Sequence, residues 1–377
     1  MDNLQTLKQK LERAGVVGAG GAGFPAFRKL APAEIIIVNC AECEPMLMLH
    51  RQLMALEAEK IVKALKLVAQ VCGAKESYIA LKETYTEAIA AVEAAGGTVK
   101  KLRPVYPAGD EVVLVYEVTG RVVAPGAIPI SQGVIVFNAE TMYNIYNAVY
   151  RHEDVKEKLV TVTGAVNNPV TVTVPLGTSI AALLDMAGGL SIPDPAYLVG
   201  GPMMGSLQDE NYGVTKTTNA VIVLPENHPL VLRKQTKIPA ELKRASSACC
   251  QCRTCTDLCP RHLLGHPIEP HKFMRAAANR NFEDTSVFLN AMFCSGCGVC
   301  EAYACPQGLS PRNLIAEYKK RMRAAGVSAP KTEAGTPDKD RSLRQVPSHR
   351  LAARLGLTAY DAPAPIQTPE RKESDKA

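Results

Sequence analysis

A chain of 377 residues that is 47% hydrophobic and 21% charged can build two or three cored domains and is too apolar to be disordered. A formal charge of +6 without a dense Lys/Arg block, 5% aromatic residues and no Trp provide neither the basic surface nor the stacking platform of a nucleic-acid binder. No apolar run is long enough for a direct membrane span, and Met1–Arg13 lacks the apolar core of an export signal; the expected location is the cytoplasm.

In chain order, Met1–Arg13 reads as a polar helix with Leu4, Leu7 and Leu11 on one side, a stripe best explained by packing on its own domain. Glu34–Asn39 is a predicted strand, and Gln52–Val71 a helix ending at Gly73, a natural C-cap. Ser77–Leu81, Glu83–Ala94 and Thr98–Arg103 continue as strand, helix and strand. Asp110 is a predicted N-cap, and Val134–Phe137 followed by Glu140–Tyr150 repeats the strand–helix order. The alternation predicts an α/β domain with a largely parallel sheet over residues 1–155.

After Arg151 the texture changes. Lys158–Thr163 and Val170–Val174 are Thr/Val-rich strands around Asn167-Asn168-Pro169, followed by a short helix at Ser179–Met186 and strands near Tyr197–Val199 and Ala220–Leu224. This is a small α+β module of β-grasp type, spanning residues 156–232. A cysteine-rich, helical module follows over 240–325. The stretch 326–377, rich in Pro, charge and small residues, is expected to be mostly flexible apart from a helical piece at His349–Leu355.

Most of the twelve cysteines fall in two runs, Cys249-x2-Cys252-x2-Cys255-x3-Cys259-Pro and Cys294-x2-Cys297-x2-Cys300-x4-Cys305-Pro. Short gaps let one loop wrap three corners of a cubane cluster while a distant Cys-Pro supplies the fourth. In two-cluster ferredoxins that fourth cysteine serves the other cluster. The expectation is two [4Fe–4S] clusters, one on Cys249, Cys252, Cys255 and Cys305, the other on Cys294, Cys297, Cys300 and Cys259. Structural zinc does not demand this spacing twice. The x4 gap before Cys305 is one residue longer than the ferredoxin run and is expected to bulge. Cys250 lies off the spacing, and Cys72 reads as a small buried apolar residue.

Five glycines fall within Gly15–Gly23. The literal G-x-G-x-x-G there follows a helix and runs into Phe24-Pro25, so it is not a Rossmann fingerprint. The loop either cradles a phosphate or makes a tight turn. Asn39-Cys-Ala-Glu42-Cys43-Glu44-Pro45 closes a strand, at the edge where parallel sheets bind ligands. Cys40 and Cys43 form a C-x-x-C without the helix context of thioredoxin-like motifs. His262, His266 and His271 cluster after Cys259; metal ligation is one reading, and hydrogen bonding in the scaffold is the favoured one.

The run GGAGFP, Lys29, Asn39-x-x-Glu42-x-Glu44-Pro45, Gly109-Asp110-Glu111 and Asn138-Ala-Glu140-Thr141 resembles the flavin-binding subunit of respiratory complex I. It resembles more closely the RnfC-type subunits of Rnf complexes and the cobalamin reductases of propanediol-utilisation microcompartments. Tyr106-Pro-Ala-Gly-Asp-Glu, Gly200-Gly-Pro-Met-Met-Gly205 and Cys255-Thr-Asp-Leu-Cys-Pro-Arg-His262 match that last pair. The likeness covers residue 1 to about 365.

The resemblance implies an FMN domain, an SLBB (β-grasp) domain and a two-cluster ferredoxin domain. It implies that Gly18, Gly20, Gly21, Gly23 and Lys29 hold the FMN phosphate and ribityl chain. Asn39, Glu42, Asn138 and Thr141 would line the flavin. Phe24 would stack on the nicotinamide nucleotide, and Glu44 and Glu111 would contact NADH; Gly109 and Asp110 complete the implied cofactor-binding set. Ala41 stands where the complex I pattern has Asp, which removes one polar contact. Compared with the cobalamin reductases, the chain stops short of a further β-rich domain. The function so implied passes electrons from NADH through FMN and the clusters to cobalamin or a corrinoid-handling enzyme, with no side-chain catalyst. The setting would be a bacterial microcompartment, with its shell proteins as possible partners. An Rnf-like carrier exchanging electrons with ferredoxin and a flavin-free ferredoxin scaffold are the rivals.

Overall fold

Ile35-Ile-Ile-Val is an unbroken apolar run, the mark of a strand covered on both faces, and it opens the central strand of the first domain. In the computed structural model, which describes residues 3–21, 23–281 and 283–367, helices α1 (Leu4–Arg13) and α2 (Ala26–Lys29) precede this strand, β1 (Ile35–Cys40). Helix α3 (Leu49–Cys72), β2 (Glu76–Lys82), α4 (Thr86–Ala94), β3 (Val99–Leu102), the short β4 (Val105–Tyr106), α5 (Glu111–Thr119), β5 (Val134–Asn138) and α6 (Ala139–Tyr146) follow. The sheet order is β3-β2-β1-β5, with all pairs parallel. Alternate β1 side chains feed two cores: Ile36 and Val38 join the one that includes residues of α1, α3, α4 and α6, while Ile35 and Ile37 join the one that includes α5. Gly73 ends α3 in the left-handed region (φ 69°), and Asp110 caps α5 by accepting from the Val112 and Val113 amides.

The second module is the β-grasp expected. Strands β6 (Glu157–Gly164) and β7 (Val170–Pro175) form a hairpin. Helix α7 (Ile180–Met186), β8 (Pro195–Val199), β9 (Ser206–Gln208) and β10 (Ala220–Pro225) complete it, with β10 parallel to β6 and antiparallel to β8. Val160, Val162, Val221 and Val223 face α7. Leu159, Ala220, Ile222 and Leu224 belong to the same core as the first domain, so one sheet face is shared between the two units. The seam contains a buried ion pair from Lys158 to Glu140, their side chains only 1% and 4% exposed.

Helices α8 (Pro229–Gln235), α9 (Ile238–Ala248), α10 (Thr254–Asp257), α11 (Pro270–Ala278), α12 (Thr285–Asn290) and α13 (Pro311–Ala324) carry the cysteine loops. The extra residue before Cys305 is taken up as a π-helical turn over Cys300–Ala304, the usual way a helix absorbs one residue.

The expectation of a mostly flexible 326–377 is corrected over residues 335–367. Strand β11 (Val346–Pro347) pairs antiparallel with β4, α14 (Ser348–Arg354) follows, and β12 (Ile366–Gln367) adds to the sheet edge beside β7. Val346, Leu351, Leu357 and Ala364 are buried, and Arg341 pairs with Glu117 on α5 at 2.7 Å. These apolar anchors are spaced too widely among Pro and charge to register as a pattern. Residues 368–377 lie outside the described residues.

Candidate functional site

The strand order reverses its direction of growth at β1, which places the ligand crevice beyond the carboxyl ends of β1 and β5. Asn138 ends β5, and its register partner Asn39 is the next-to-last residue of β1. Asn39 Nδ2 donates to Gly109 O (2.9 Å), and its Oδ1 accepts from the Ala41 amide (3.1 Å). Asn138 caps α6 through the Glu140 amide (2.9 Å).

The glycine loop lies against this edge. It is closed by Gly18 N–H to Phe24 O (2.8 Å) and Gly23 N–H to Gly18 O (3.1 Å). Thr141 Oγ1 accepts from the buried Ala19 amide at 2.9 Å. Gly21 (φ 112°) and Gly23 (φ 64°) are in conformations that side chains resist. A Cβ on Gly20 would come within 3.0 Å of Asn138 Nδ2. Phe24, 44% exposed, stands at the loop exit. Lys29 donates to Glu111 Oε1 (2.7 Å) and to Val136 O (3.0 Å), so these two implied contacts are paired with each other here.

The acidic loop divides its carboxylates. Glu42, at φ 31°, is buried; Oε1 accepts from the His50 amide (3.1 Å), while Oε2 has no partner among the described residues. Burial raises its pKa, against the His50 amide hydrogen bond and the charges of Arg51 and Lys82. A strained, buried, half-satisfied acid at a sheet edge fits a ligand that supplies the missing hydrogen bond. Glu44 turns away instead: its oxygens accept from the Met203 and Met204 amides of the β-grasp domain (2.8 and 2.9 Å). Cys43 accepts from the Gly109 amide, and burial pushes its thiol up to about 11. Cys40 is raised by burial and by Glu42. Neither is an activated thiolate.

Cysteines of the two runs lie beside one another in the fold. Cys249, Cys252, Cys255 and Cys305 line one cavity together with Cys250, Met274, Leu309 and Pro311. Burial, then the thiolates of Cys305, Cys249 and Cys252, push Cys255 up to about 12. Cys259 is pushed up to about 11 by burial and by Cys294, and Cys300 feels Cys294, Cys297 and Cys259. Among the described residues no group of three or more His, Cys, Asp or Glu side chains is arranged to hold a single metal ion. The first group reaches the surface at the exposed Cys252, while Cys259 and Cys300 of the second are buried.

One short segment joins the inner thiol group to the crevice. Gly109 touches Asn39, as above. Asp110 Oδ2 accepts from Arg261 Nη2 (2.9 Å), two residues beyond Cys259. Tyr106 Oη donates to Cys297 O (2.6 Å). Lys319 Nζ donates to Cys294 O (2.6 Å) and Arg312 Nε to Gly296 O (3.3 Å). Sequence reasoning missed Lys319 and Arg312, which lie outside every quoted motif; Tyr106 and Arg261 stood inside quoted motifs without a role.

Of the three histidines after Cys259, His266 and His271 are bonded into the scaffold, while the buried Nδ1 of His262 has no hydrogen-bond partner among the described residues. His271 Nδ1 meets Thr256 Oγ1 (2.7 Å) and His266 Nε2 meets Val123 O (3.0 Å). Burial holds His266 down at about 4 and His50 at about 3. A histidine kept neutral in the fold but protonated when unfolded favours folding above its unfolded pKa and loses that contribution as pH falls through 6.5 towards 4. We expect a loss of about 2 kcal/mol per histidine by pH 5. Melting curves between pH 7 and 5 should show it, and His266→Gln should flatten the slope by about one proton; an unchanged slope refutes the assignment.

Among known proteins, the Nuo51 FMN-binding domain model matches residues 11–147, the SLBB domain model 159–206 and the 4Fe-4S dicluster domain model 248–310. The chain is therefore a flavin and iron–sulfur protein whose two redox domains are joined through a β-grasp domain. It belongs to the PduS family: it is 44% identical to cobalamin reductase PduS of Salmonella typhimurium, over 96% of this chain and 81% of that protein. A subunit of the Na(+)-translocating ferredoxin:NAD(+) oxidoreductase complex of Acetobacterium woodii is 33% identical over 76% of this chain and 63% of its own. An NAD+-reducing [NiFe]-hydrogenase chain shares the fold, with a TM-score of 0.58 at 19% identity over 87% of this chain and 63% of that one. No helix among the described residues is long and apolar enough to cross a membrane.

Proposed function

We propose that the chain passes electrons from NADH through FMN and two [4Fe–4S] clusters to cobalamin, within three units at 1–155, 156–232 and 240–325. The observation that carries this reading is the Tyr106–Asp110 segment, bonded through Gly109 to Asn39 in the crevice and through Tyr106 and Asp110 to Cys297 and Arg261. The 44% identity to a cobalamin reductase supports the acceptor.

Bound FMN supplies the exchange between a hydride's electron pair and single electrons. Gly18, Gly20, Gly21 and Gly23, braced by Thr141, would hold its phosphate and ribityl chain, with Asn39, Glu42 and Asn138 along the ring. Phe24 is the exposed surface for the nicotinamide, and Lys29 and Glu111 form the charged wall. Cys259, Cys294, Cys297 and Cys300 would ligate the inner cluster; Cys249, Cys252, Cys255 and Cys305 would ligate the outer one, next to the surface. NADH yields two electrons and one proton, and two cobalamins take one electron each. We place the protein within a bacterial microcompartment, near a corrinoid-handling enzyme. Exchange with ferredoxin is the second reading, favoured by the relative from Acetobacterium woodii.

An anaerobic NADH titration of purified protein tests the route. The expected result is bleaching of flavin and cluster bands, with about eight iron atoms per chain and stoichiometric FMN. Aquocobalamin or ferredoxin added to the same cuvette then separates the two acceptors. Clusters without flavin, and a spectrum indifferent to NADH, would overturn the route.

A further inference from the structure

Gly200-Gly-Pro-Met-Met-Gly205 is a sequence signature that no cofactor claims. It forms the turn between β8 and β9, and its glycines are there because other atoms come too close for a side chain. A Cβ on Gly205 would lie 2.4 Å from Val199 O, and a Cβ on Gly201 would lie 2.1 Å from Glu44 Cδ. Into that gap the acidic loop inserts Glu44, whose two oxygens take the Met203 and Met204 amides. Lys234 on α8 fastens the other flank by donating to Gly205 O at 2.6 Å. Met203, 3% exposed, sends its methyl carbon to 3.5 Å from where a Cβ on Gly298 would stand. Gly298 follows Cys297 of the inner thiol group. A single turn of the β-grasp domain thus touches the flavin crevice on one side and the inner cysteine loop on the other.

A carboxylate with both oxygens engaged by backbone amides is not presented to a nucleotide hydroxyl. We propose that Glu44 is a positioning residue: through the Gly200–Gly205 turn it sets the separation between the flavin crevice and the inner thiol group, and so governs electron passage between them rather than NADH binding. The inference rests on the NADH–FMN–cluster route. The step it governs is the transfer of single electrons from NADH-reduced flavin to the inner cluster.

Glu44→Gln keeps the shape but turns an NH2 group towards one amide donor. In stopped-flow experiments with NADH we expect the KM and the rate of flavin bleaching to stay within about twofold, while the cluster bleaching that follows slows at least about tenfold, as for a sub-ångström to 1 Å misplacement. The dithionite-reduced EPR signal of the inner cluster should change as well. Met203→Ala, which leaves the backbone amides and Glu44 in place, should alter the same EPR signal and carries the test if the first variant fails to fold. A KM for NADH raised tenfold or more with unchanged cluster bleaching would make Glu44 a nucleotide contact and overturn the proposal. An unchanged inner-cluster EPR signal in both variants would do the same. If NADH does not bleach the parent protein, the route itself fails, while the dithionite spectra still judge the positioning role.

Discussion

Cys259→Ser should abolish the cluster of the second cysteine run although Cys259 belongs to the first. Its thiol is buried and interacts with Cys294, and it acts in turn on Cys297 and Cys300, whereas Cys305 shares a cavity with Cys249, Cys252 and Cys255. Iron should fall from about eight to about four atoms per chain. The residual EPR spectrum should match that of Cys297→Ser and differ from that of Cys255→Ser. Because the inner group is the one bonded to Tyr106 and lies beside Arg261, NADH should still bleach the flavin, while electrons no longer reach the outer cluster. Acceptor reduction should drop at least about a hundredfold, the scale expected when reacting groups lose their positioning. A Cys259→Ser spectrum matching that of Cys255→Ser would show that the motifs do not cross.

Lys158→Met should be among the most destabilising single changes outside the cysteines. Lys158 is buried between its own strand and α6, where it pairs with Glu140 and donates to Leu159 O at 2.9 Å. Burial lowers its pKa, and the Glu140 carboxylate opposes that shift. Removing the cation leaves a carboxylate buried without its partner, at a cost of about 3–5 kcal/mol. For a chain of this size the melting temperature should fall by about 4–6 °C. Lys158→Met combined with Glu140→Leu should recover most of the loss, because replacing both members of a buried pair with apolar groups is often neutral. Equal melting temperatures for the parent and the single variant would refute the argument.

What the sequence made legible was local. Cysteine gaps of two residues, the Gly73 and Asp110 caps and the strand–helix alternation are each written within a few positions, and each corresponds to a feature of the fold. The pairing of Asn39 with Asn138 was not readable, since it depends on the register of strands about a hundred residues apart. Glu44 illustrates the same limit at a site. Its motif marks it as special, yet which partner takes the carboxylate is decided by how two domains dock. Lys29 and Glu111 were likewise assigned separate ligands, while their proximity is a product of α2 and α5 flanking one strand end. The segment past residue 335 was misread because Val346, Leu351 and Leu357 are too sparse to announce a packed segment.

That segment has a consequence for how the molecule is assembled. Emerging late in synthesis, it crosses back over domains already made, giving β4 a partner through Val346 and Pro347 and β7 a neighbour through Ile366 and Gln367. Gln52 of α3 donates to Ala364 O at 2.7 Å on the way. Until it arrives, β7 presents an unpaired edge, the kind of surface on which one nascent chain recruits another. The protein therefore works like a parcel tied last by its own string, and cutting the string should yield aggregates rather than separable pieces.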